Sequence, residues 1–139
     1  MSFCNPGARE LDAFFSSLKT VAVVGLSPKP ERPSHFVARA LQQLGLRIVP
    51  VRPAAGEILG ERTYARLADI PYAVDVVDVF RTPAEVPALV EDCINLKLPA
   101  LWLQEGVVHE AAAERARDAG MFVVMDRCLY KDYAAWCGR

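Results

Sequence analysis

The fold turns on residues 21 to 34, Val21-Ala22-Val23-Val24-Gly25-Leu26-Ser27-Pro28-Lys29-Pro30-Glu31-Arg32-Pro33-Ser34. A β-branched apolar run ends at Gly25, a short loop with three prolines follows, and a helix opens near Ser34. A strand that feeds a helix through a glycine-marked loop is how α/β proteins build phosphate sites. The helix start carries unpartnered N–H groups and partial positive charge, so it draws anions. The stretch therefore predicts a phosphorylated ligand. Ser27 and Ser34 offer hydroxyls, Lys29 and Arg32 offer charge, and Pro28, Pro30 and Pro33 stiffen the loop. Only Gly25 matches the GxGxxG dinucleotide fingerprint, and no GK[ST] follows to make a Walker A loop.

Outward from this stretch, four more strand-like runs read at Arg47–Val51, Val74–Phe80, Ala100–Leu103 and Met121–Met125. Most are almost wholly apolar, which fits strands covered on both faces in a parallel sheet. Helical spacing is predicted over Ala8–Leu18, Ser34–Leu44, Pro83–Leu98, Val107–Ala119 and Tyr130–Trp136, with a short helix at Thr63–Ala68. Phe36, Val37, Ala40, Leu41 and Leu44 mark the apolar side of the second helix, and Gly45 ends it. Alternating strands and helices predict one domain, residues 1–139: a Rossmann-like, doubly wound, five-stranded parallel sheet with strand order 3-2-1-4-5. In such sheets ligands sit beyond the C-terminal strand ends, at the switch point, here expected between strands 1 and 4.

Composition narrows the function classes. The 139 residues suffice for one domain with a real core. The 53% hydrophobic content excludes a disordered chain. A net charge of −1 gives no global field for nucleic acid or anionic lipid. No basic, apolar leader opens the chain, and no apolar run reaches the ~20 residues a bilayer needs, so a cytoplasmic protein is expected. Cys4, Cys93, Cys128 and Cys137 lack CxxC spacing and a histidine pair, so no metal site is expected and the thiols read as free.

The strand ends supply the candidate chemistry. After strand 2 come Val51, Arg52 and Pro53. An arginine where NAD enzymes carry an acid suits a ribose bearing a phosphate, which points to NADP or coenzyme A; Arg47 is a second basic candidate. After strand 3, Phe80 is placed to pack on an adenine and Arg81 to meet phosphate. Asp75 and Asp78 inside that run read as structural, partnered by backbone or a basic side chain. After strand 4, Gln104 and Glu105 precede Gly106, and Glu105 suits either a base or, preferably, a bond to a ligand amide or ribose. His109 reads as a surface residue and His35 as a neutral donor at a helix start. After strand 5, Cys128 is the thiol expected to face the cleft, beside Arg127.

Together these segments resemble the small stand-alone CoA-binding proteins, which are similar to the N-terminal domain of the succinyl-CoA synthetase alpha subunit. The resemblance runs from about Leu11 to Trp136. It rests on VAVVGLSPKPERPSHFVA, IVPVRP followed by EILGERTYARLADIP, VDVVDVFRTPAEV, LWLQEGVV and VVMDRC. It implies a coenzyme A site. Val24, Gly25, Leu26 and Ser27 match the phosphate loop, and Arg47 or Arg52 stands for a basic residue near the nucleotide end. Phe80 and Arg81 line the cleft, and Leu103, Gln104 and Glu105 meet the pantetheine. Asp126, Arg127 and Cys128 match an Asn-Cys segment, with Arg127 in place of the asparagine. The synthetase's phosphorylated histidine has no counterpart, since His35 and His109 do not match it, so synthetase chemistry is not implied. The expectation is a protein that binds coenzyme A or an acyl-CoA without evident catalysis. The alternatives are an NAD(P)-binding module, or an acyl-CoA or phosphoryl-transfer enzyme using Glu105 or His109.

Overall fold

A computed structural model of the chain describes residues 3–54 and 56–139. Helix α1 (Ala8–Ser17) leads into β1 (Thr20–Val24), α2 (Pro33–Gln43) and β2 (Arg47–Val51). A small hairpin, β3 (Glu57–Ile58) and β4 (Glu61–Arg62), and a 3₁₀ turn at Leu67–Asp69 follow. The chain then runs through β5 (Val76–Val79), α3 (Val86–Asn95), β6 (Ala100–Leu103), α4 (Glu110–Asp118), β7 (Phe122–Met125) and α5 (Leu129–Cys137).

Five strands form one parallel sheet in the order β2-β1-β5-β6-β7. Side-chain alternation divides its faces into two cores. Ala22, Val24, Val77, Val79, Leu101 and Val123 pack with Val86, Val90 and Cys93 of α3 and Ala112, Ala113 and Ala116 of α4. Val21, Val23, Val76, Trp102 and Val124 pack on the other face with α1, α2 and α5. Apolar runs without alternation are what two covered faces require. Trp102 is fully buried, and its indole N–H donates to the Arg127 carbonyl at 2.8 Å.

The Rossmann-like doubly wound sheet is therefore present, but its strand order differs from the expected 3-2-1-4-5. Counting only the five sheet strands, the order is 2-1-3-4-5, with the third strand beside the first. The physical reason lies between Val51 and Val76, where the described residues form no α-helix to bring the third strand back beside the second. Instead the Asp75 carboxylate accepts from the Lys19 and Thr20 amides, both at 2.9 Å, and the Asp75 amide donates to the Thr20 carbonyl. These bonds hold the start of β5 against the start of β1. The switch point consequently lies between the first and third strands.

Two local expectations also change. In place of the helix predicted at Thr63–Ala68, the chain leaves the hairpin, bridges Tyr64 to Val51 and enters the 3₁₀ turn at Leu67. The helix predicted from Pro83 starts as a 3₁₀ turn, Pro83–Glu85, closed by a capping box between Thr82 and Glu85.

Candidate functional site

At the crest of the sheet, the new strand order brings Phe80 beside Gly25. The Phe80 amide donates to the Val24 carbonyl at 2.9 Å, and the Gly25 amide donates to the Val51 carbonyl at 2.9 Å. Gly25 has φ +87°, and a Cβ there would lie 2.4 Å from the Phe80 carbonyl oxygen. Only glycine satisfies both the conformation and the approach.

The Gly25–Ser34 loop is braced from within. The Ser27 amide donates to the buried Ser34 hydroxyl at 3.0 Å, and the Lys29 amide donates to the Ser27 hydroxyl at 3.1 Å. His35, buried at the helix start, donates from Nδ1 to the Ser27 carbonyl at 2.9 Å, so it holds the loop and does not line the cleft. Pro33 takes the first helical position of α2, and no side chain caps that helix start. Lys29, Arg32 and Arg52 have no ion-pair partner among the described residues. Arg81 has only a long contact to Glu85 at 3.9 Å.

A cleft of about 870 Å³ opens over this loop. It gathers Gly25, Ser27, Lys29, Arg32, Ser34, Arg52, Phe80, Arg81, Gln104, Glu105, Gly106 and Cys128, all singled out from the sequence. Val24 and Val51 line instead a neighbouring hollow of about 620 Å³, between the Ala65–Ala68 segment and α3. Arg52 and Arg81 border both hollows. Leu26 and Leu103 are buried core side chains, so only their main chain lies near the crest. Pro53 lines neither hollow. Arg47 lies at the opposite end of β2, where its guanidinium stacks over Tyr72 at 3.8 Å; it is not at the nucleotide end.

The rest of the rim is ordered by its own bonds. The Gln104 carbonyl oxygen of the side chain accepts from the Leu129 amide at 3.0 Å. The Asp126 carboxylate, from a residue at φ +62°, accepts from the Gly106 amide at 2.8 Å. Glu105 pairs with Lys131 at 3.2 Å. Arg127 pairs with Asp132 at 2.6 Å, which raises its already high pKa. His109 is the N-cap of α4, its Nδ1 accepting from the Ala112 amide at 3.1 Å.

Sequence reasoning missed several lining residues. Phe36, assigned to the buried side of α2, is half exposed and meets Tyr130 edge-on at 5.9 Å on the cleft wall. Lys131, Val107 and the Ala65–Ala68 segment were also missed. A lysine three residues past Cys128 was a usable signal for the first. The hairpin that delivers Ala65–Ala68 leaves no such trace. Asp78 also departs from expectation: it is fully buried, and neither carboxylate oxygen has a partner among the described residues. Burial pushes its carboxyl well above the usual range.

Residues 19–134 match the family model described as CoA binding domain. The chain belongs to the CoA-binding domain family. This CoA-binding domain is 37% identical over 125 residues to the uncharacterized protein YneT of Bacillus subtilis, covering 90% of this chain and 93% of that one. Over 78 residues it is 36% identical to an ADP-forming acetate–CoA ligase II of Archaeoglobus fulgidus, covering 54% of this chain and 11% of the ligase. A solved structure from Thermus thermophilus superposes on the CoA-binding domain with a TM-score of 0.89 at 36% identity, covering 94% and 99% of the two chains. Among the described residues no helix is long and apolar enough to cross a membrane, and no three His, Cys, Asp or Glu side chains converge as metal ligands.

Proposed function

We propose that this protein binds coenzyme A or an acyl-CoA across the crest of its sheet, in the cytoplasm and without catalysis of its own. The observation that carries the reading is the convergence of Lys29, Arg32, Arg52 and Arg81 on one open cleft floored by the Gly25 loop. Four guanidinium and ammonium groups around an uncapped helix start suit a pyrophosphate and a ribose phosphate. The phosphates lie on the Gly25–Ser34 loop. The adenosine end lies between the ends of β2 and β5, and the pantetheine runs toward Gln104 and Cys128.

Titration calorimetry with coenzyme A, dephospho-CoA, NADH and NADPH tests this reading. Coenzyme A binding is expected. Arg52→Ala should weaken coenzyme A about tenfold, a single charge-assisted contact, and dephospho-CoA far less. Equal losses remove the ribose phosphate from Arg52, and no coenzyme A binding overturns the reading. NADPH is the second reading, because Arg52 occupies the strand end that meets a phosphorylated ribose. A transfer enzyme has less support. Glu105 is engaged by Lys131, and the His109 ring nitrogen facing α4 is spent on the helix cap.

A further inference from the structure

We infer that Cys128 is a thiol–disulfide exchange site for the ligand of the crest cleft, an inference that rests on the coenzyme A reading above. Two independent observations meet at this wall. Cys128 lines the cleft from the start of α5 with 5% of its surface exposed. Gln104, also 5% exposed, lines the same cleft and fixes its amide by accepting from Leu129, the residue after Cys128. The Gln104 side-chain nitrogen donates to none of the described residues. That amide N–H₂ is not sealed from solvent at the cleft, so a carbonyl on the ligand would take the place of water on it. A ligand whose amide carbonyls precede a terminal thiol would satisfy Gln104 and present its sulfur to Cys128.

The other cysteines do not share this setting. Cys93 is fully buried on the inner side of α3, and burial pushes its thiol up to about 12. Cys4 and Cys137 are exposed and line neither the cleft nor its neighbour.

The step needs only the symmetrical disulfide of the ligand thiol. The Cys128 thiolate attacks one of its sulfurs, a protein–ligand disulfide forms, the small disulfide breaks, and the departing thiolate takes a proton from water. The protein thiol is oxidised and the released half is reduced, so electrons balance. Excess small thiol reverses the exchange. The protein would thus hold its ligand reversibly under reducing conditions and covalently when the ligand pool is oxidised.

The test uses the whole chain, incubated without reductant with CoA disulfide or, separately, glutathione disulfide. Intact mass and peptide mapping read the adduct, and calorimetry with reduced coenzyme A runs in parallel. The expected result is one CoA moiety on Cys128, formed at least tenfold faster than the glutathione adduct, removed by dithiothreitol and absent in Cys128→Ser. Mapping on the unaltered chain decides the matter if that variant does not fold. Coenzyme A binding without an adduct on Cys128, adducts confined to Cys4 and Cys137, or equal rates with the two disulfides overturn the inference and leave the coenzyme A reading standing. Neither binding nor adduct overturns both.

Discussion

Gly25 and the three loop prolines together decide how an anion can be held here. Pro28, Pro30 and Pro33 have no N–H, and the amides of Ser27, Lys29 and Arg32 are spent inside the loop. A main-chain cradle of the P-loop kind is therefore largely unavailable to the ligand. Side-chain cations must carry more of the recognition, with the uncapped start of α2. Gly25→Ala tests the close approach that shapes this floor. It is expected to lower stability by about 2 kcal/mol or more in urea titrations, from the φ strain and the clash with the Phe80 carbonyl.

Asp78 adds a pH dependence. Burial makes its carboxyl hold the proton to higher pH in the folded chain than in the unfolded chain, which loses it near pH 4. The stability tied to that proton is complete below the unfolded pKa and is lost as pH rises toward the folded one, at up to about 1.4 kcal/mol per pH unit. Asp78→Asn carries no such charge. Its stability relative to the parent chain should climb with pH from about 4, and equal pH profiles in urea would refute the assignment.

At the level of elements, the strands and most helices were legible because unbroken apolar runs and helical spacing recur on both sides of Gly25. What the sequence hid was local and competitive. Thr63–Ala68 has helical spacing, yet the edge of β2 captures Tyr64: the Tyr64 amide donates to the Pro50 carbonyl, and the Arg52 amide donates to the Tyr64 carbonyl, both at 3.0 Å. Pairing with an open sheet edge outweighed a weak helical preference. His109, expected at the surface, is partly exposed, and its side chain caps α4. His109→Ala should cost about 1 kcal/mol in stability, and coenzyme A affinity should stay within twofold. A large affinity loss with little stability change would return His109 to the site.

Across the whole molecule, most of the crest residues could be listed from the sequence because the strand ends were located correctly, although the third strand, expected at an edge of the sheet, lies at its centre. Strand order is set by pairings between distant segments, and the decisive one, Asp75 to the Lys19 and Thr20 amides, has no local signature. The same scale governs the sheet edges. Tyr64 covers the top of β2, and at the far edge Asn5 donates to the Met125 carbonyl at 3.0 Å and accepts from the Met125 amide at 2.8 Å. An exposed edge is a template for pairing between chains. Asn5→Ala should therefore lower the denaturation midpoint and speed aggregation on mild heating; light scattering indistinguishable from that of the parent would show that the clamp is dispensable.

Because β1 stands between β2 and β5, Arg52 and Arg81 rise on either side of it and are common to both hollows. A molecule filling the two spaces must pass this pair of gateposts, so its negative charge has to fall at the bend and not at its tip. On the coenzyme A reading, the contour would suit a long guest with an anionic waist and uncharged arms.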